Sequence, residues 1–437
     1  MALIGWFLRI QGHVVTTSIV LMLMFSISMA APVSSVNQEH ENGMNIILMI
    51  GDGMGFEQVK LARWVEKGVD GQLVMESLPF NSSVTTHSAD SSITDSAASA
   101  TAIATGVKTD NGVISKDPDG HNLETILELA QRLDKSTGVI STCYIQHATP
   151  AAFMTHINDR NSYNTITKQI IDSANVDVLL GGGLHYFSNA NITTMQDKGY
   201  SFVQNLSEMN MVSEGKLFGI FSDFHMDYEL NRELTVIPSL AQMTNKSLEL
   251  LSQDTDGFFL MVEGGRIDHA GHDNNKVQNA LDTIAFDKAV EVALHYTVTH
   301  DDTMLIVTAD HETGGLIVNS NTLDSTLPSD ENTEEEKRQL RADRVDQIDV
   351  TWSSSGHTAV NVPIYGYGSI FDDMSNEVLD NTDIFQLMVS FYPQAPPLPT
   401  TTITEYTPDL VSLLPYVVAG SVLVAVVVIT IAWRRRI

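Results

Sequence analysis

The chain has 437 residues and a formal net charge of −30, which comes from 54 acidic against 24 basic side chains. This balance argues against nucleic-acid binding, which needs a basic surface, while 43% hydrophobic and 18% charged residues indicate a chain that folds. The single cysteine, Cys143, excludes an intrachain disulfide and a multi-cysteine zinc site.

The first segment, residues 1–31, has the pattern of a secretory signal peptide. Arg9 supplies a weakly positive start, and the apolar run at 19–31 ends in small residues, so cleavage is expected near Ala30 or Ala31. An uncleaved N-terminal anchor is the alternative interpretation.

Five short apolar runs predict buried strands between residues 40 and 392. The first run, 45–50, stops at a Gly-Asp-Gly-Met-Gly loop, and a helix is expected over 56–65. Helical patterns at 123–133 and 279–294 alternate with the later runs. This alternation favours an α/β fold with a predominantly parallel sheet sandwiched by helices. The other four runs are 137–142, 176–180, 257–262 and 303–308.

The stretch TDSAASATA, at 94–102, contains only small side chains apart from Asp95, which directly precedes Ser96. No histidine follows that could act as a base for this serine. One interpretation is a helix reduced to small residues so that a neighbour packs closely against it. The other is a serine kept uncrowded because a reactant has to reach it.

Residues 319–352 are acidic and rich in turn formers, with three consecutive glutamates at 334–336. Because charge runs usually face solvent, we expect a surface excursion from the sheet with a solvated face.

The C-terminal end predicts a membrane anchor. Residues 393–409 are rich in proline and threonine and are expected to form an extended stalk. Residues 413–433 carry no charge and match the length of a transmembrane helix, and the basic tail at 434–437 is expected in the cytoplasm. These arginines argue against a cleaved lipid-anchor signal. The domain at 40–392 is therefore predicted to be extracellular, in a single-pass protein.

Five loops that follow apolar segments, or precede one, carry an acid or a histidine. In an α/β sheet such residues gather beyond the carboxyl ends of the strands. One such residue alone is more often a turn former or a satisfied surface or core residue. Together, aspartate and histidine suit zinc, and further carboxylate and hydroxyl oxygens suit magnesium. Cations held there would also attract an anionic substrate to an acidic protein. The residues are Asp52, His147 with Thr149, the segment 263–272, Asp310 with His311, and His357.

Six motifs carry a resemblance to a known family. NIILMIGDGMG, TDSAASATAIATGVKTDNGVIS, QHATPAAF, MVEGGRIDHAGH, VTADHETGG and SGHTAVNVPIYGYG occur in this order between residues 45 and 368. In these motifs the chain resembles the alkaline phosphatases. The resemblance implies their α/β fold, a serine nucleophile at Ser96, two zinc ions and one magnesium ion.

The residues that match the family's metal ligands divide among three ions. The resemblance assigns Asp268, His272 and His357 to one zinc, Asp52, Asp310 and His311 to the other, and Thr149 and Glu263, with Asp52 as a bridge, to magnesium.

Three further positions match residues around the ions. Arg160 matches the arginine that grips phosphate, for which a planar guanidinium is suited. His147 and His269 stand where the family's bacterial model enzyme has aspartate and lysine, whereas animal enzymes resemble this chain at both positions. The resemblance leaves the roles of these two histidines open, and we expect them to lie around the metal ligands.

The predicted function is hydrolysis of phosphomonoesters outside the cell through a phosphoserine on Ser96, with release of inorganic phosphate. A metal ion would replace the missing base by stabilising the serine alkoxide. A sulfatase or phosphodiesterase of the same superfamily is one alternative, and a catalytically inactive membrane-tethered binding protein is another. The family is commonly dimeric, which the residues alone do not test.

Overall fold

The computed structural model describes residues 43–392. The predicted signal peptide at 1–31, the stalk at 393–409, the transmembrane helix at 413–433 and the tail at 434–437 lie outside the described residues and stay predictions. Between residues 43 and 392, no helix is long and apolar enough to cross a bilayer.

In the described part of the chain, ten strands form one sheet in the order β14-β2-β13-β8-β1-β7-β3-β4-β6-β5, and β10 with β11 and β9 with β12 form two small antiparallel pairs. The strands are β1 (Asn45–Ile50), β2 (Phe80–Thr85), β3 (Ser136–Tyr144), β4 (Val178–Gly182), β5 (Tyr200–Val203), β6 (Lys216–Ile220), β7 (Phe258–Glu263), β8 (Thr303–Thr308), β9 (Glu312–Thr313), β10 (Leu316–Asn321), β11 (Ile348–Trp352), β12 (His357–Thr358), β13 (Val362–Tyr367) and β14 (Leu379–Asp380).

Helices connect most of these strands, and short helical turns occur at Met75–Ser77, Ile170–Ala174, Leu184–Tyr186 and Ser369–Phe371. The helices are α1 (Phe56–Lys67), α2 (Ser96–Thr105), α3 (Ile126–Arg132), α4 (Ala148–Met154), α5 (Tyr163–Gln169), α6 (Asn189–Asp197), α7 (Leu206–Met211), α8 (Leu240–Leu251), α9 (Arg266–His272), α10 (Lys276–Thr297), α11 (Glu334–Asp346) and α12 (Asn381–Phe391).

The sheet is parallel except at β13, which runs antiparallel to both of its neighbours, β2 and β8. The central strand β1 lies between β7 and β8, and all of its residues are buried. An uninterrupted apolar strand of this kind requires cover on both faces of the sheet, which the helices provide. The predicted α/β fold with a mostly parallel sheet is confirmed.

Two predicted boundaries differ from the structure for local reasons. The strand predicted at 176–180 is shifted toward the C-terminus, because β4 begins at Val178 and ends at Gly182. The two glycines that were expected to stop the strand instead pair with Tyr144 of β3 and Ile220 of β6. The helix expected at 123–133 begins only at Ile126, because Thr125 and Glu128 form a capping box that ends the preceding loop.

The acidic segment 319–352 is solvated on one side only. Its glutamates at 334–336 are exposed, as expected. On the inner side of α11, Arg341 donates two hydrogen bonds, of 2.7 and 2.8 Å, to the buried carboxylate of Glu66. Arg344 donates to the backbone carbonyls of Trp64 and Val65 at the end of α1. The excursion is therefore anchored to the body of the protein by arginines that the charge pattern alone did not reveal.

Candidate metal centre

Helix α2 begins at Ser96, and Asp95 is its N-cap. One carboxylate oxygen of Asp95 accepts a hydrogen bond of 3.0 Å from the backbone N–H of Ala98, which is a preferred way to begin a helix. Every residue of α2 is buried, and the helix packs against α4 and α12. The small side chains thus allow close packing, and Ser96 lies at the positive end of the helix dipole.

The side chain of Ser96 is buried, and its hydroxyl lies beside His311. Ser96 Oγ is 3.2 Å from Nε2 of His311. The same nitrogen is 3.3 Å from Oδ2 of Asp310 and 3.6 Å from Oδ1 of Asp52. Burial, followed by the neighbouring imidazole of His357, lowers the pKa of His311 well below its usual value, so the ring is neutral. A neutral imidazole and two carboxylates around one point are suited to a cation.

Asp52 and Asp310 lie in one group with His311, and each carries one buried oxygen that accepts no hydrogen bond. Both are fully buried, and Asp52 Oδ1 and Asp310 Oδ2 have no hydrogen-bond partner. Burial and the neighbouring Asp310 raise the pKa of Asp52, and burial and the nearby Asp268 raise the pKa of Asp310 to about 7. Since an unpaired buried carboxylate is costly, this arrangement fits divalent cations as the missing partners.

A second group of predicted ligands surrounds Asp268. Its Oδ1 is 3.4 Å from Nε2 of His272 and 3.6 Å from Nε2 of His357, and these two nitrogens are 3.1 Å apart. The ring of His357 also stacks on that of His311, with centroids 3.6 Å apart, so the two groups adjoin. Burial raises the pKa of Asp268, but the hydrogen bond to His272 and the nearby imidazoles outweigh it and hold the pKa below its usual value.

The outer nitrogens of these two histidines bond to the backbone. His272 Nδ1 lies 2.6 Å from the carbonyl of Ser355, and His357 Nδ1 lies 2.9 Å from the carbonyl of Thr94. Backbone carbonyls in this position orient an imidazole and leave Nε2 free for a metal.

The predicted magnesium ligands lie on the other side of Asp52. Thr149 Oγ1 is 3.5 Å from Asp52 Oδ2. Glu263 is fully buried; one of its oxygens accepts a hydrogen bond from Ser141, and the other, Oε1, has no partner. Burial raises the pKa of Glu263 to about 8. His147 also lies here, with Nδ1 3.9 Å from Asp52 Oδ2.

Arg160 is linked to the start of α2 through Asp95. Its guanidinium donates a hydrogen bond of 2.9 Å to Asp95 Oδ2, and its other terminal nitrogen is 3.3 Å from Nε2 of His147. Asp95 Oδ2 also accepts a hydrogen bond from the backbone of Gly112. Sequence reasoning noted Asp95 only as a neighbour of Ser96. The preference of aspartate for N-cap positions could have indicated its role at the start of α2. Its pairing with Arg160 is visible only in the folded structure.

His269 lies beside the predicted ligands and not among them. Its Nδ1 is 3.0 Å from a guanidinium nitrogen of Arg266 and 3.9 Å from the sulfur of Cys143. Its ring packs against His225, with centroids 4.3 Å apart. Sequence reasoning missed His225, which follows β6 in a loop that has no motif to mark it.

Gly53 permits the loop after β1 to approach α9. The residue has a φ of +71°, and a Cβ here would lie 2.8 Å from the Cα of Asp268 and 2.8 Å from Oγ1 of Thr313. Glycine is therefore required in the Gly-Asp-Gly loop, which brings Asp52 to the same edge of the sheet as the second ligand group.

Comparisons with known proteins show which family the chain is similar to. A family profile described as "Alkaline phosphatase" matches residues 43–336. The chain is 31% identical to "Alkaline phosphatase 3" of Bacillus subtilis (strain 168), over 78% of this chain and 87% of that protein. It is 32% identical to "Alkaline phosphatase" of Escherichia coli (strain K12), over 79% and 85%.

Solved structures extend the similarity to the fold. The cold-active alkaline phosphatase of Shewanella sp. has a TM-score of 0.71 and 32% identity, covering 80% of this chain and all of that one. A mutant of the alkaline phosphatase of the Antarctic bacterium TAB5, with Mg bound in its M3 site, has a TM-score of 0.67 and 28% identity, covering 81% and 99%. The chain therefore belongs to the alkaline phosphatase family, which makes it a phosphoric monoester hydrolase.

Proposed function

We propose that this protein hydrolyses phosphomonoesters by transferring the phosphoryl group to Ser96 and then to water. The observation that carries the proposal is the position of Ser96. Its hydroxyl lies at the N-terminus of α2, 3.2 Å from His311 and within the group of unpartnered carboxylates. A helix N-terminus is a favourable site for a phosphate group.

The residues of the chain divide the work as follows. Arg160 binds two phosphoryl oxygens, and Asp95 holds its guanidinium in place. Ser96 Oγ attacks phosphorus in line with the leaving oxygen, so a P–O bond forms to the serine as the ester bond breaks. Divalent cations held by the two carboxylate and histidine groups would supply the positive charge that lowers the pKa of the hydroxyl and stabilises the phosphoryl oxygens. Water then cleaves the phosphoserine, which restores Ser96 and releases phosphate.

The proposed ions are two zinc and a third divalent cation, for which the resemblance implies magnesium. Aspartate and histidine predominate in the two adjoining groups, and these donors suit zinc. Asp52, Thr149 and Glu263 supply oxygen donors at the third position, and such donors suit magnesium. The unpartnered oxygens of Asp52 and Asp310 lie in the group that would hold one of the zinc ions, and Ser96 lies beside His311 of that group.

We also propose that catalysis takes place outside the cell on a membrane-anchored protein. The support is in the sequence, where the uncharged segment 413–433 precedes three arginines. A homodimer is a further proposal, which sedimentation of the purified ectodomain would test.

The decisive experiment compares the wild-type protein with Ser96→Ala. The wild type should hydrolyse a chromogenic phosphomonoester and, after a quench in acid, retain labelled phosphate on Ser96. Ser96→Ala should retain none, with Ser99→Ala as the control on the same helix. Chelation should remove activity, and zinc with magnesium should restore it. Labelling of Ser96→Ala would refute the assigned nucleophile, and turnover confined to sulfate esters or phosphodiesters would favour those alternatives.

A further inference from the structure

Cys143, the only cysteine of the chain, lies in the wall of the third cation position. The residue is near the end of β3 and is fully buried. Its sulfur, a ring nitrogen of His147 and a carboxylate oxygen of Glu263 all lie within 4.8 Å of one another. A thiol, an imidazole and a carboxylate at this spacing are a complete set of zinc donors.

Two of these donors are unsatisfied. Glu263 Oε1 and His147 Nδ1 have no hydrogen-bond partner, and the two residues are 0% and 7% exposed. Because a buried polar atom without a partner is costly, both atoms indicate a ligand between them.

Gly265 keeps the space beside the thiol open. A Cβ at this position would lie 2.5 Å from the sulfur of Cys143 and 3.0 Å from Oε1 of Glu263. Any side chain here would therefore occupy the place where the sulfur and the carboxylate oxygen approach each other.

A competing group shares the same thiol. Cys143, His225 and His269 also lie within 4.8 Å of one another. In that group the guanidinium of Arg266 is 3.0 Å from Nδ1 of His269, so a fixed positive charge already occupies one donor. A cation is disfavoured there, whereas the group with His147 and Glu263 adjoins the unpaired carboxylate of Asp52.

We propose that Cys143 is a ligand of the third cation, together with His147 and Glu263, and that this position therefore selects zinc or cobalt over the magnesium that the family resemblance implies. The inference rests on the proposed function, since it concerns one of the cation positions of that site. Binding converts the thiol to a thiolate and releases one proton to solvent. Thiolate and imidazole suit zinc, whereas magnesium takes oxygen donors and water.

The test is the absorption spectrum of the purified protein after its ions are replaced with cobalt(II). A thiolate ligand produces a sulfur-to-cobalt charge-transfer band in the near ultraviolet, and no other cysteine can contribute to it. We expect this band in the wild type and its loss in Cys143→Ser. In competition with zinc, Cys143→Ser should also bind magnesium at least about tenfold better than the wild type does, as measured by elemental analysis.

Two control variants keep the result interpretable. His225→Asn should retain the band. Loss of the band in this variant would show that the competing group holds the cation, and it would overturn the proposal. His185→Asn, which removes an exposed histidine, should leave spectrum and selectivity unchanged. A wild type that binds three cobalt ions without the band also overturns the proposal, even if Cys143→Ser does not fold. Phosphoserine formation, measured on the same preparation, shows separately whether the proposed function holds.

Discussion

Asp95 performs two roles with its two oxygens. One caps α2, and the other holds the guanidinium of Arg160 at 2.9 Å. Asp95→Asn keeps a side-chain oxygen for the cap but removes the charge that orients Arg160. We expect kcat/KM for a phosphomonoester to fall by about tenfold, which corresponds to about 1.4 kcal/mol. Stability should fall by only about 1 kcal/mol, because the cap is kept but the backbone N–H of Gly112 loses its acceptor.

The matched control is Glu124→Gln. Glu124 forms a two-pronged pair with Arg132 on the surface, with both side chains more than two-fifths exposed. Its loss should leave kcat/KM unchanged. If Asp95→Asn lowers thermal stability and leaves kcat/KM intact, Asp95 is only a helix cap.

At the residue scale, the motifs identified side chains that the fold brings together, but they did not identify the surroundings of these side chains. Asp52, Asp310 and His311 follow strands directly, so their convergence follows from the geometry of a parallel sheet. His225 and Cys143 come together with the site only through tertiary packing. No local pattern encodes such a contact, because each residue alone is typical of an ordinary loop or core.

At the element scale, α10 carries a buried acid whose charge opposes folding at high pH. Burial, followed by the neighbouring Glu229, raises the pKa of Asp282 to about 8. The folded protein therefore keeps a proton on Asp282 that the unfolded chain, with a pKa near 4, releases. The stability contributed by this group decreases as pH rises from about 4 to about 8.

Asp282→Asn should remove this dependence, because an amide stays neutral and still accepts the backbone hydrogen bond from Glu229. We expect equal stability of variant and wild type near pH 4, and a variant more stable by on the order of 5 kcal/mol at pH 8.5. Urea unfolding across this range measures the difference, with the exposed Asp301→Asn as the control. A constant difference at all pH values would contradict the prediction.

Helix α11 is anchored by the buried pair of Arg341 and Glu66. Because Glu66 is only 6% exposed, Arg341→Gln leaves a buried carboxylate without its main partner. We expect the free energy of unfolding to decrease by about 3 kcal/mol while kcat/KM is retained. Lys337→Gln, which breaks a pair with the exposed Glu334, should cost no more than about 0.5 kcal/mol. Equal effects of the two variants would show that α11 is not anchored by the inner pair.

The elements that the sequence predicted are the central ones. Strands β1, β7 and β8 are continuous apolar runs because helices cover both faces of the sheet. By contrast, β2 contains asparagine and serines and is only partly buried, and β5, at one edge of the sheet, has only four residues. The polar residues of β2 and the short length of β5 leave little local pattern, so pairing partners decide that they are strands.

For the whole molecule, the charge of −30 opposes the approach of an anionic substrate until it reaches Arg160 and the bound cations. Salt shortens the range of this repulsion, since the Debye length falls from about 30 Å at 0.01 M to about 8 Å at 0.15 M. We expect kcat/KM for a phosphomonoester to rise severalfold over this interval. An uncharged osmolyte at equal osmolarity should have no such effect. If kcat/KM instead decreases with salt, the attraction by the local cations exceeds the repulsion by the acidic surface even at long range.

The antiparallel strand β13 lies between β2 and β8, and β12 just before it pairs His357 with Thr313. The candidate centre therefore draws its first residue, Asp52, from one end of the described chain and its last, His357, from near the other. No fragment that ends before β12 contains the full ligand set. During synthesis, the centre is completed only after nearly the entire domain has been made. An intact site therefore indicates that translation has passed His357.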